Sequence, residues 1–143
     1  MDFTGIARRC AIGFADRKLE GGCMEIDNFR AAEQGDANAK FVLGNKYRDG
    51  QGVSQDYEIA LKWFTLAAAQ GHAAAQNALG NMYYYGEGVP QEYKQAVKWY
   101  TQAAEQGYVG AQYNLGGMYE EGQGVPQDYP QAVKWYTQAA KQG

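Results

Sequence analysis

Between residues 36 and 143 the apolar positions repeat one layout three times. In the first unit Ala39, Leu43 and Tyr47 stand at i, i+4 and i+8, one stripe of a 3.6-residue period, so a helix A is predicted from about Ala37 to Asp49. Gly50 follows, and a glycine just past a helix end supplies the left-handed conformation at least cost. A Gly-x-Gly-Val-Ser/Pro run then makes a short connector. In the second unit Tyr93, Ala96, Val97, Tyr100, Ala103 and Ala104 fall at i, i+3, i+4, i+7, i+10 and i+11, the buried face of a helix B that Trp99 flanks. Asp56 and Asp128 are the natural N-caps of this helix, Glu92 is a weaker one, and Pro130 sits in a first turn, where its missing donor is harmless. With connectors this short, successive helices must lie antiparallel and stack.

Sliding the chain by 36 residues makes the repetition explicit. Leu43-Gly44 falls on Leu79-Gly80 and Leu115-Gly116, Trp63 on Trp99 and Trp135, and Gly71 on Gly107 and Gly143. Seventeen of the 36 positions are identical in all three copies, so the architecture must be read from the repeat and not from single residues. The units are 36–71, 72–107 and 108–143. Gly44, Gly80 and Gly116 lie inside helix A, where glycine costs about 1 kcal/mol relative to Ala. Close packing explains them: an aromatic of a neighbouring helix must approach the backbone there. A unit this small buries its faces only by stacking, which predicts an all-α solenoid, an α/α superhelix of antiparallel helix pairs.

Residues 1–35 follow the lattice poorly. Ala31 to Gly35 reproduces the end of a helix B, which makes roughly 24–34 a half-repeat. Upstream, Phe3, Ile6, Ala7, Cys10, Ala11 and Phe14 mark an amphipathic helix, read as an N-terminal cap or degenerate repeat with Gly21-Gly22 as its turn. Arg8-Arg9 precedes too short an apolar stretch for a secretory signal, and a cytoplasmic location is expected.

The pattern A-Q-x-x-L-G-x-x-Y-x-x-G-x-G-V, an Asp or Glu, then A-x-x-W-x-x-x-A-A-x-x-G resembles the Sel-like repeat (SLR) family, relatives of the tetratricopeptide repeats. The resemblance covers residues 36 to 143, with Lys40 in place of the glutamine found at Gln76 and Gln112. It implies a right-handed superhelix whose members act as adaptors for protein assemblies, many of them bacterial, with no common catalytic activity. It also implies that the outer side of helix A lines a concave groove.

Composition narrows the function further. The net charge is −3 with no basic segment, so the footprint expected for nucleic acid or anionic lipid is absent, and no apolar run approaches a membrane span. His72 is the sole histidine and falls in the turn between units, which predicts an exposed turn residue and leaves no nucleophilic triad to assemble. Cys10 and Cys23 have neither C-x-x-C spacing nor companions, so thiols are expected rather than a disulfide or a metal site. The Gly-x-Gly runs follow helices and lack a nucleotide loop's lysine, and they are read as turns. The aromatic pairs at 63–64, 99–100 and 135–136 recur in every unit and are read as core. No cofactor, no metal and no enzymatic activity are expected.

Function is therefore sought where the lattice varies. Opposite the apolar stripe of helix A lie Phe41, Asn45, Arg48 and Asp49 in the first unit, Asn77, Asn81, Tyr84 and Tyr85 in the second, and Tyr113, Gly117, Glu120 and Glu121 in the third. Tyrosines offer contact area at low entropic cost and asparagine amides bond a peptide backbone, so the expected partner is a peptide or protein surface. With helix layers about 10 Å apart, three units give a groove of roughly 30 Å, room for about eight or nine extended residues. The alternative is a secreted carbohydrate- or cell-wall-binding protein, hydrolytic through Glu120 and Glu121, although neighbours on a helix diverge by about 100° and pair poorly as acid and base. Val133, Tyr136 and Ala140 of the last helix have no following unit over them in this sequence, which predicts their exposure and self-association there as a two-fold dimer.

Overall fold

The computed structural model describes residues 20–143, with side chains from residue 27 onwards. Cys10 and the amphipathic segment 3–14 lie outside the described residues. Among the described residues there are seven helices and no strand: α1 (Glu20–Glu33), α2 (Ala37–Asp49), α3 (Tyr57–Ala69), α4 (Ala73–Tyr85), α5 (Tyr93–Glu105), α6 (Val109–Glu121) and α7 (Tyr129–Gln142). Each packs chiefly on the helix before it and the helix after it, the nearest-neighbour stacking of an all-α solenoid. The pairs α2/α3, α4/α5 and α6/α7 are the three repeats. One expectation fails at the N-terminal end: Gly21 and Gly22 belong to α1 and form no turn. Glycine's helix penalty is small against tertiary burial, and later in α1 Phe29 and Ala32 are buried, with Phe29 edge-on to Trp63 at 5.8 Å.

The interior glycines of helix A have the role that packing required. A Cβ at Gly44, Gly80 or Gly116 would fall 2.5, 2.5 or 2.8 Å from the ring of Phe64, Tyr100 or Tyr136, the helix B aromatic of the same repeat. Beside them, Leu79 and Leu115 are fully buried, and so are the alanines that face them from helix B.

The connectors do more than turn the chain. Gly50, Gly86 and Gly122 are left-handed at φ 69°, 73° and 68°, and the Gly86 N–H donates to the Met82 carbonyl. The side chains of Gln55, Gln91 and Gln127 donate to the carbonyls of Arg48, Tyr84 and Glu120, so the open C-terminal ends of helix A are satisfied from within each repeat. A Cβ on Gly88 or Gly124 would meet Tyr57 or Tyr93 at the start of the preceding helix B, at 2.8 and 2.6 Å. Each connector therefore rests on the repeat before it.

Buried glutamines tie the layers together. Gln76 donates to the Ala68 carbonyl at the end of α3 and accepts from Gln106 at the end of α5, and Gln112 does the same between Ala104 and Gln142. Lys40 instead reaches Gln70, which in turn donates to the Gly35 carbonyl, so the first repeat makes its bridge to the α1 end through a relay.

Caps behave largely as the sequence predicts. Asp56 and Asp128 accept from the backbone N–H groups of Ile59 and Gln131, whereas Glu92 makes no capping bond. His72 departs from expectation. It is half-buried, caps α4 by accepting from the Ala75 N–H at Nδ1, and packs on Phe41 with ring centroids 5.0 Å apart.

Two outcomes follow. Ala at position 80 should lower unfolding free energy by about 1–3 kcal/mol in urea titrations, because overpacking against Tyr100 outweighs the helix propensity gained; a stabilised Gly80→Ala protein would show that the ring yields freely. The second concerns pH. Burial holds the His72 imidazole below its ordinary 6.5, with Asp36 pulling the other way. The unfolded chain thus takes up this proton more readily, so the His72 contribution is complete above about pH 6.5 and declines as pH falls towards the folded value. Melting temperatures measured between about pH 7 and 5 should fall less in His72→Asn, which keeps a capping oxygen and does not titrate.

Candidate functional site

The variable positions of helix A gather on one face of the stack, where two homologous cavities open one repeat apart, beside a wider one of about 770 Å³ between α6 and α7 that shares Tyr113, Asn114, Glu120 and Tyr136 with the second of them. The first, about 350 Å³, lies between repeats one and two and is lined by Arg48, Asp49, Gln55, Tyr57, Asn81, Tyr85 and Glu87. The second, about 250 Å³, lies between repeats two and three, where Tyr84, Tyr85, Tyr113, Glu120 and Glu121 meet Tyr100, Asn114, Gly117, Met118, Gln123 and Tyr136. Adding 36 to Arg48, Asp49, Asn81, Tyr85 and Glu87 gives Tyr84, Tyr85, Gly117, Glu121 and Gln123, so the cavities are homologous places with different chemistry.

In the first cavity the one cation already has a carboxylate partner in its own repeat. Arg48 donates to both carboxylate oxygens of Asp49, at 2.9 and 3.2 Å, and its guanidinium carbon stands 5.9 Å from the centre of the Phe64 ring. The hydrogen bond holds Asp49 below the ordinary carboxylate range and raises the Arg48 guanidinium above its own, with Glu87 adding attraction.

Aromatic groups dominate the second cavity. Tyr85 and Tyr113 are 66% and 64% exposed, far more than a tyrosine held in a core. Tyr84 is half-buried, edge-on to Tyr85 at 4.9 Å and tilted against Tyr93 at 5.3 Å. Tyr113 leans on Tyr136 at 5.4 Å, and the Tyr136 hydroxyl donates to Glu120 at 2.8 Å. Burial first, then this bond to a carboxylate, push the Tyr136 phenol up to about 12. Two lining groups, Tyr100 and Asn114, are tied to Asn77 and Asn81, which do not line this cavity. Tyr100 donates to Asn81 at 2.7 Å, and Asn114 donates to Asn77 at 3.1 Å and to Asn81 at 3.5 Å. Burial raises the Tyr100 phenol as well, so it stays a neutral donor.

Of the residues expected along one groove, Tyr84, Tyr85, Tyr113, Glu120 and Glu121 line one cavity and Arg48 and Asn81 the other. Three positions differ. Phe41 is half-buried between Phe64 and His72 and works in packing, Asn77 serves as an acceptor for Asn114, and half-buried Asn45 lines neither cavity. The reading missed Asn114, although a polar residue where the other copies carry Val42 and Ala78 was a visible departure from the lattice. Tyr100 and Tyr136 are read from the sequence as core, with Tyr136 expected also to be exposed on the last helix; each seals the gap at a glycine while its hydroxyl reaches the open face. At the outer side of α7, Val133 and Ala140 are exposed, and Tyr136 is half-buried against Gly116.

Among the described residues no group of three or more His, Cys, Asp or Glu side chains is placed to hold a metal ion, and no helix is long and apolar enough to cross a membrane.

Comparison with known proteins agrees with this fold. The family model described as the Sel1 repeat matches residues 37–72, 73–108 and 109–143. The solved structure of a Sel1 repeat protein from Oxalobacter formigenes is 41% identical, with a TM-score of 0.76 over 82% of this chain and 89% of that one. A protective antigen present in uropathogenic Escherichia coli strains, which displays an SLR fold, is 38% identical with a TM-score of 0.81. The match covers 100% of this chain and 34% of the antigen, so the chain spans about a third of that protein. Cysteine-rich protein B of Helicobacter pylori, 21% identical with a TM-score of 0.66 over 83% of this chain and 90% of its own, shares the fold. Among curated proteins none matched significantly. With three consecutive repeats matched and a relative 41% identical, the chain belongs to the Sel1 repeat family, whose members are in general non-enzymatic protein-interaction scaffolds.

Proposed function

We propose that this protein is an interaction module that holds an extended peptide, or a segment of a protein surface, in a groove lined by helix A of successive repeats. The observation that carries the reading is the pair of highly exposed tyrosines, Tyr85 and Tyr113, beside a cavity whose Tyr100 and Asn114 are held by hydrogen bonds to Asn81 and Asn77. Rings held out in water gain contact area when a partner covers them, and little side-chain entropy is lost. The hydrogen bonds of Tyr100 and Asn114 are already formed and cost no reorganisation on binding. Glu120 and Glu121 line the same cavity, but Glu120 is already engaged by Tyr136, and the two serve recognition better than hydrolysis.

Selection from a random peptide display library on the purified protein tests the reading. Binders should lose about tenfold or more in affinity on Tyr113→Ala and on Tyr85→Ala, the effect of removing anchor residues, while the melting temperature stays within about 1–2 °C of wild type. Asn81→Ala is a poorer probe, because it leaves the Tyr100 hydroxyl and the Asn114 amide without their acceptor. Selected peptides indifferent to both tyrosine variants would move the site off this face.

A further inference from the structure

We propose that the cavity between the second and third repeats is a receptor for a guanidinium group, so that an arginine side chain of the partner is what this site recognises. The inference rests on the groove reading above and gives it a chemistry.

The first repeat supplies the template. There the chain's own Arg48 lies over Phe64, is held by Asp49 and is drawn further by Glu87. One repeat on, the place of Arg48 is taken by Tyr84, and two repeats on by Glu120. One repeat on, Asp49, Phe64 and Glu87 give way to Tyr85, Tyr100 and Gln123, so this cavity keeps a ring, loses the cation and takes its carboxylates from the third repeat. Tyr136 stands where Phe64 stands in the first repeat, Glu121 where Asp49 stands, and Glu120 and Tyr113 add a further carboxylate and a further ring. No Lys or Arg lines this second cavity.

Three physical terms then favour a cation from outside. Ring faces attract a cation placed within about 6 Å of their centres, and five of the eleven residues lining the cavity are tyrosines. Two carboxylates at the end of α6 add full negative charge where the helix dipole is already negative, and the last turn of α6 carries no basic residue to offset them. A volume of about 250 Å³ falls just below the range of small-molecule sites, roughly 300–1,000 Å³, and suits one long side chain. Between the common cations, the planar guanidinium both stacks on rings and offers paired donors to carboxylates, whereas an ammonium offers only a point charge.

The test uses N-acetyl-arginine amide, with N-acetyl-citrulline amide as the uncharged isostere and N-acetyl-lysine amide for comparison, titrated into the isotopically labelled 143-residue chain at low salt. The arginine probe should shift the signals of Tyr84, Tyr113 and Gly117 at concentrations on the order of tens of millimolar, and citrulline should not. Raising the salt, Glu120→Gln and Glu121→Gln should each weaken the effect, and the double variant by about tenfold. Equal shifts from citrulline, stronger shifts from lysine than from arginine, or shifts confined to another face would overturn the proposal. Display-selected peptides separate it from the reading beneath it. If they lose binding on Tyr113→Ala yet ignore both glutamine substitutions and an arginine-to-citrulline exchange, the groove stands and the guanidinium assignment falls. If none responds to Tyr113→Ala or Tyr85→Ala, the groove reading itself fails.

Discussion

The contact between a glycine in helix A and an aromatic ring in helix B governs this molecule. At Gly44, Gly80 and Gly116 the ring of Phe64, Tyr100 or Tyr136 occupies the space that a Cβ would need. Because the ring lies against bare backbone, the two helices of a repeat approach closely, and the alanines of helix B can meet the leucines of helix A without leaving voids. The glycine weakens its own helix by about 1 kcal/mol, and the packing it permits outweighs that cost. Three repetitions of this arrangement fix the spacing of the stack, and the buried glutamines and connector glycines join one layer to the next.

The same contact sets the composition of the exposed face. A ring that enters at a glycine points its far edge outwards, so a tyrosine at that position delivers a hydroxyl to the surface while the ring stays packed. Tyr100 uses it to hold Asn81, and Tyr136 uses it to hold Glu120. In the first repeat Phe64 has no hydroxyl to give, and Arg48 lies over the ring instead. Packing and the chemistry of the exposed face therefore share residues along the edge of helix B. Along helix A they are separated: Leu79 and Leu115 face inwards and are buried, whereas Tyr85 and Tyr113 face outwards and are exposed.

A solenoid allows this separation because each repeat needs only its neighbours. Outer positions of helix A can change without disturbing the stripe that packs. The change from Arg48 through Tyr84 to Glu120 passes from cation to neutral ring to carboxylate at one site of the lattice, within a framework whose packing positions hardly vary. An interaction scaffold with several chemically distinct compartments follows from one fold rule.

Within the three repeats the sequence by itself determined the helices and the stacking, since these depend on local terms that recur every 36 residues: the apolar period, the glycines after helix A, and an acidic residue before helix B, Asp56, Glu92 or Asp128. It also marked the outer face of helix A, because that face follows from periodicity alone. Only the tertiary structure decided what the residues on that face do. Phe41 turned inwards because Phe64 and His72 stand within reach of its ring, and His72 became a cap because its imidazole meets the Ala75 N–H. Asn114 reaches Asn77 and Asn81 across more than thirty residues of sequence. Such pairings depend on the distance between helices of different repeats, set by the summed bulk of every side chain between them, and no local pattern encodes that sum.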